Sequence, residues 1–474
     1  MLQWGLPIEE IRDLGNHFYQ FVEPYRICMM TKTHNTSNYG VKYVNGLLRM
    51  ETERNMANIA RKTEVDDQRM QHFMSNSPWS GPKLIQRIQE DIRMHPEFTT
   101  GAMLILDESA EQKAGDSSSG AGRQYNGRLG KIEMSQVGVF LTLATPRVNT
   151  WIDGELFIPE RWFGEEYAEQ RRQVGVPAER TFQTKPELGW LMIQRAIDSG
   201  IPFDAVAMDD LYGRNRQLCR RLDKANIEYY GDVPANTTVY LDKPTIKHCK
   251  KKNGQLAKKY EIVGTSYRVR DLGHHEHLER AKLTLRSTER GLLQATFARC
   301  RVWVVDQGRC QERWLLIRQD NKRVTYVLSN AHPEISLETM AWRKSHRYFV
   351  ERSNQDAKGE LGWDEFQAIK YRAWEHQLAL TILASWFIAD TRLDWMSRYE
   401  RDPELLAHYE TDVLPLLSVG NVRELLQAAM PLPQLSPEEA TQLVIEKLIN
   451  RTRSRKSRLR KAQKTQKNER VPET

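Results

Sequence analysis

The chain has 474 residues, 40% of them hydrophobic and 28% charged, with a formal net charge of +8. That length is too great for one ordinary core and predicts several domains, while the absence of an 18-residue apolar run excludes an ordinary membrane-spanning helix. The charge is concentrated at one end: residues 451–474 hold ten Lys/Arg against Glu469 and Glu473, so 10 − 2 = +8, and the rest is close to neutral.

Residues 1–95 carry helical signals. IEEIRDLGNHFYQFVEPY places apolar residues at helical spacing, NGLLRMETERNMANIARKT predicts a second, cationic helix, and Ser77-Pro78 opens a third. We read a small helical N-terminal domain, either a DNA-binding module or a generic helical bundle. The start, MLQWGLPIEEIRDLG, has no cationic stretch before an apolar one and is not a secretory signal. The five cysteines (Cys28, Cys219, Cys249, Cys300, Cys310) are unpatterned, as in a reducing cytoplasm.

Residues 96–235 change character. AMLILD, MSQVGVFLTLAT and NTWIDGELFIP read as three strands. A helix follows, opened by Pro186 and closed by Gly200, then a strand in FDAVAMD, a helix over 213–226 and a strand in IEYYGDV. Residues 236–335 are short β-like runs with polar turns, a β-rich insertion. Residues 336–400 return to helices, including the apolar run Leu378–Ala389, which reads as a core helix. Residues 401–450 form a helical C-terminal domain, and 451–474 a basic tail suited to gathering nucleic acid through counterion release.

Three acids stand out. Asp107 and Asp209 each end an apolar strand, and Glu351 lies on a helix with Arg347 four residues before it and Lys358 seven after it. Alone, each is more often a cap or a surface charge than a catalyst. Alternation of side chains along a strand favours Asp107 over Glu108; Asp209 over Asp210 is a question of register. Together, two strand-end carboxylates and one on a helix suit two hard divalent cations about 4 Å apart.

The other motifs are weaker. GAGRQYNGRLGK is not a phosphate loop of the nucleotide-binding kind, but Arg123, Arg128 and Lys131 make it a candidate DNA contact. His274, His275 and His277 lack a second pair at zinc spacing. Trp303, Trp314 and Trp342 read as core residues, with a stacking platform for a flipped base as the alternative.

The spacing of Arg347, Glu351 and Lys358 matches the last three letters of the YREK signature. In order, LILDESAEQKAG, GAGRQYNGRLGK, DGELFIP, TKPELG, MDDLYGRN and AKGELGWDEFQ resemble a DDE transposase of a bacterial insertion sequence, in the 701 branch of the IS4-like superfamily. The likeness covers about residues 65–390. It implies an α/β, ribonuclease-H-like catalytic core with its first and fourth strands adjacent, interrupted by the β-rich insertion. It implies Asp107, Asp209 and Glu351 as catalytic, metal-binding residues for two Mg²⁺, with Mn²⁺ as a substitute, and Arg347 and Lys358 as phosphate contacts. It further implies cleavage at terminal inverted repeats through a DNA hairpin, joining to target DNA, a homodimeric synapse, and a bacterial, nucleoid-associated location. Lys344 stands where the signature has tyrosine. A nuclease that cuts without joining, a DNA-binding protein with inert acids, and a metallohydrolase acting elsewhere are the competing classes.

Overall fold

The computed structural model describes residues 7–127, 129–250, 256–275, 278–288, 291–320, 323–399 and 418–430, with a few isolated positions beyond them. The basic tail and most of 401–450 lie outside the described residues. Contacts divide the chain into a large unit, Met1–Met430, and a second, Pro431–Thr474.

The large unit opens with helices α1 (Ile8–Val22), α2 (Ser37–Arg49), α3 (Met56–Lys62), α4 (Asp67–Ser75) and α5 (Gly81–Met94). The cationic helix expected over NGLLRMETERNMANIARKT is broken in two. Glu53 takes a positive φ of 58°, and Arg54 turns inward instead of staying on a helical surface. Its guanidinium binds Glu365 Oε1 at 2.7 Å and the carbonyls of Gly359 and Glu360 at 2.7 and 2.5 Å. A buried arginine satisfied this fully needs a loop there. The third helix starts at the Ser80 cap, not at Ser77.

The sheet strands are β1 (Met103–Gln112), β2 (Gly122–Asn126), β3 (Lys131–Ala144) and β4 (Asn149–Phe157). Next come α6 (Ala168–Val174), α7 (Lys185–Asp198), β5 (Ala205–Met208), α8 (Asp210–Gly213), α9 (Arg216–Lys224) and β6 (Tyr229–Val233). β4, β3 and β1 form an antiparallel meander, and β1, β5 and β6 run parallel. The strand order β4-β3-β1-β5-β6 is that of a ribonuclease-H-like core, with first and fourth core strands adjacent as expected. α7 is fixed by a capping box between Thr184 and Glu187 and stops before Gly200, whose φ is 69°.

The β-rich segment supplies β7 (Thr238–Tyr240), β8 (Thr245–Lys250), β9 (Leu256–Val263), β10 (Ser266–Arg268), β11 (Glu279–Thr288), β12 (Gly291–Asp306), β13 (Arg309–Gln319) and β14 (Val324–Ser329). β8 and β9 pair as a separate ribbon. Most of the others continue the core sheet, because β14 pairs with β6 and carries β13, β12, β7 and β10 beyond it. Packing on the face that includes Met103 and Ile105 are α10 (Leu337–Ser345) and α11 (Tyr348–Gln355), with Met340 and Val350 fully buried there.

α12 (Tyr371–Tyr399) is the central strut. Its apolar run Leu378–Ala389 is buried nearly all round, and it packs with α2, α4, α5 and α13 (Val419–Ala429). Phe18 of α1 meets Phe387 edge-on at 5.3 Å, and His376 is stacked on Trp79 at 3.8 Å. The N-terminal helices therefore share a core with the helix behind the sheet. No described helix is long and apolar enough to cross a membrane.

Candidate active site

β1 and β5 place the first two acids side by side. The register aligns Leu106 with Met208, so Asp107 and Asp209 leave the ends of the paired segment at one level. Such carboxyl ends of parallel strands are where open α/β sheets bind ligands. Asp209 also caps α8, accepting from Leu211 N at 2.9 Å and Tyr212 N at 3.3 Å. The glycine of MDDLYGRN has a steric reason: a Cβ on Gly213 would lie 2.2 Å from the Asp232 carbonyl oxygen on β6. The glycine of TKPELG likewise lets α7 meet Leu106, which would lie 2.4 Å from its Cβ.

Glu108 points to the opposite face from Asp107, as alternation requires, but its longer side chain reaches around the short end of β5. There Lys185 binds one oxygen and Tyr212 Oη donates to the other, both at 2.8 Å. Among the described residues, Asp107, Glu108 and Asp209 form the group whose ligand atoms lie within 4.8 Å of one another. Glu351 is not in it. Its carboxylate is 57% exposed on α11 and stands 3.7 Å from Arg347. Sequence reasoning set Glu108 aside, and alternation alone gave no signal that a strand end would let it join.

Crowding shows in the acid chemistry. Burial raises Asp107 to a pKa of about 7, with Asp209 adding to the effect and Arg347 opposing it. Burial and Glu108 raise Asp209 to about 6. Arg347 is a cation that opposes both shifts. Burial works against its charge, but Asp232, Asp107, Asp209 and Glu351 together hold it. Its nearest ion-pair distances are 3.6 Å to Asp232 and 3.7 Å to Glu351, and its buried Nε has no hydrogen-bond partner among the described residues. Arg347 is thus held by field more than by hydrogen bonds, which leaves it able to take a phosphate oxygen.

Three carboxylates with only oxygen donors fit a hard divalent cation and do not suit a thiolate- or imidazole-binding metal. The raised carboxyl groups give the same indication, since a cation would relieve their repulsion.

α11 is fixed over this edge by two bonds to β4. Asn149 donates to Ser353 Oγ at 2.6 Å, and Trp151 Nε1 to Asn354 Oδ1 at 3.1 Å. Both bonds lie on the turn after Glu351 and set the helix rotation that aims it. Asn149→Ala leaves the buried Ser353 hydroxyl without this partner, a loss of about 1–3 kcal/mol. We expect cleavage to slow at unchanged DNA affinity; a wild-type single-turnover rate would show that α11 is held by packing alone.

Lys358 follows α11 on a π-helical turn and pairs with Glu111 of β1 at 2.7 Å. Lys344 is buried and paired with Asp232, so it is not a surface phosphate contact. Arg123 is exposed on β2. Lys131, also exposed, is 3.6 Å from Glu133. Lys131 lies 140 − 131 = 9 residues along β3 from the partner of Asp107, about 30 Å at strand rise. Arg128 and His277 lie outside the described residues. Trp314 is buried between Arg299 and Arg301 at 4.4 and 4.7 Å. Trp342 meets His346 in a tilted contact at 4.0 Å and lines a cavity of about 540 Å³ with Gly101 and Asp204, which precede β1 and β5. It therefore stands at the opposite strand ends from the acids.

A family model described as a DDE superfamily endonuclease matches residues 28–307, more than half of the chain. The chain belongs to the DDE superfamily of endonucleases. The match spans both aspartates of this DDE protein and ends before Glu351. A probable transposase for insertion sequence element IS701 from Microchaete diplosiphon is 24% identical over 329 residues, covering 66% of this chain and 72% of the relative. Superfamily membership and the acidic cluster together make this DDE chain a divalent-metal-binding endonuclease in type.

Proposed function

We propose that the protein is a DNA transposase that binds the terminal inverted repeats of its element, cleaves the ends through a hairpin and joins them to target DNA. The observation that carries this is the pair Asp107 and Asp209 at one level of adjacent parallel strands, under a helix bearing Arg347 and Glu351. Likeness to a probable transposase of an insertion sequence supports it.

Asp107, Asp209 and Glu351 would hold two Mg²⁺. Bound there, the ions would supply a lowered pKa for the attacking water or 3′-hydroxyl and neutralise charge on the reacting phosphate. Glu351 is exposed on α11 beside Arg347, whose charge is in turn held by both aspartates, and would be the third carboxylate of the set. Arg347, drawn now to four carboxylates, would turn to the phosphate as they take metal. Glu108 holds Lys185 and Tyr212 in place behind the pair. Lys358 braces β1 against the turn after α11 through Glu111. The helical N-terminal domain and the basic tail would grip DNA, and two copies would synapse paired ends.

The test is a Mg²⁺-dependent reaction with a labelled duplex of the inverted repeat flanking the coding region, plus a target plasmid. Joined product is expected. Cleavage without joining would leave a nuclease of the same superfamily, and no cleavage would sink the reading.

A further inference from the structure

β2 and the start of β3 form a hairpin that runs past the end of β1. At its tip, Tyr125 and Ile132 are directly opposed cross-strand partners, exposed by 62% and 57%. Leu129, in the turn between the strands, is also exposed. A soluble hairpin ordinarily puts polar residues at such a tip.

The register fixes which way they face. Asp107 opposes Phe140, and directly opposed residues lie on one face of an antiparallel pair. Counting in twos along β3 from Phe140 leads to Met134, opposite Arg123, and then to Ile132, opposite Tyr125. Arg123, Tyr125 and Ile132 therefore share the sheet face of Asp107. They lie 140 − 134 = 6 and 140 − 132 = 8 residues beyond it, about 20 and 26 Å. At about 3.4 Å per base pair that is roughly six to eight pairs from a phosphate held at the acids. The segment 121–134 carries Arg123, Arg128 and Lys131 against Glu133, a net 3 − 1 = +2, which suits a polyanion.

We propose that the Tyr125–Ile132 pair is a wedge that enters a base step of the bound duplex, about eight base pairs from the cut, with Arg123 on a phosphate nearer the cut. An apolar side chain set between base steps, flanked by cations, is how proteins kink DNA. A second copy of the chain is the other conceivable occupant; Arg123 on the acid-bearing face and the net positive charge of the hairpin favour DNA. The proposal rests on the reading of the site as one that holds duplex DNA ends.

The experiment uses the full chain in EDTA, so that binding is read without cleavage, and inverted-repeat duplexes carrying 2-aminopurine at successive positions. Wild type and Tyr125→Phe should brighten the probe several-fold at one step near the stated distance. Tyr125→Ser with Ile132→Ser should abolish that signal and weaken binding about tenfold, the size of one lost aromatic stack. Wild-type binding without brightening at any position overturns the wedge alone. So does a double variant that binds like wild type, or one that changes self-association and leaves DNA affinity intact. Failure of the wild type to bind the duplex overturns the transposase reading, and the wedge with it.

Discussion

Asp107→Asn or Asp209→Asn should lower single-turnover DNA cleavage by on the order of 10³-fold or more, about 4 kcal/mol of barrier, while making the metal-free protein more stable. The two effects have one cause. Each aspartate is raised by burial and by its acidic neighbours, so the folded state carries charge it would rather not hold. Asparagine is nearly isosteric. At Asp107 its oxygen can still accept from Glu108 N, and at Asp209 it can still cap α8.

The sign of the pH dependence follows. Both groups have folded pKa values, about 7 and about 6, above the ordinary aspartate value of 3.8. Between those limits the folded chain binds more protons than the unfolded one, so these groups make stability fall as pH rises from about 4 to about 7. Either Asn variant should flatten that decline in thermal melts. Divalent-cation affinity of the wild type should rise over the same window as protons leave. An active Asp107→Asn, or an unchanged melting profile, would refute the assignment.

The third acid is decided by a paired comparison. Glu351→Gln should abolish cleavage with little change in stability, because its carboxylate is more than half exposed and its 3.7 Å pair with Arg347 is worth little. Glu108→Gln should retain substantial activity, since the amide oxygen can still accept from Tyr212 Oη and only the pair with Lys185 is lost. The reverse pattern would transfer the metal role to Glu108.

Lys344→Met should destabilise the fold by about 3–5 kcal/mol, the cost of leaving a buried charge without its partner. Lys344 is 4% exposed and paired with Asp232 on β6, whose other cation is Arg347 at 3.6 Å. With Lys344 gone, Arg347 is the remaining neutraliser of Asp232 and should be drawn from Glu351 toward β6. Urea unfolding would read the stability loss, and single-turnover cleavage the withdrawal of Arg347. Lys344→Tyr should recover part of both, because a phenol can donate to Asp232. A stability change below about 1 kcal/mol would show that water already satisfies the carboxylate. The lysine at this signature position is therefore a buried strut.

Much of the core was legible because its elements are local. Apolar runs bounded by turn residues mark β1, β5 and β6, and Thr184, Pro186 and Gly200 mark the ends of α7. The β2–β3 motif was noticed for its charges, whereas the feature that sets it apart is an exposed apolar pair visible only once register opposes Tyr125 to Ile132. The inward turn of Arg54 was missed because its partners are more than 300 residues away. Glu111, which receives Lys358, and Asp232, which joins Lys344 to Arg347, carried no signal in their own segments.

By itself, then, the sequence determined the strand and helix order of the core, the apolar strut α12, and two aspartates at strand ends, since these depend on neighbours within a few residues. Only the tertiary structure decided that Asp107 and Asp209 stand level, that Glu108 reaches their edge while Glu351 waits on α11, and that Lys344 is buried. Those outcomes depend on strand register and on charges brought together from distant segments, where burial strengthens each interaction beyond anything local spacing encodes.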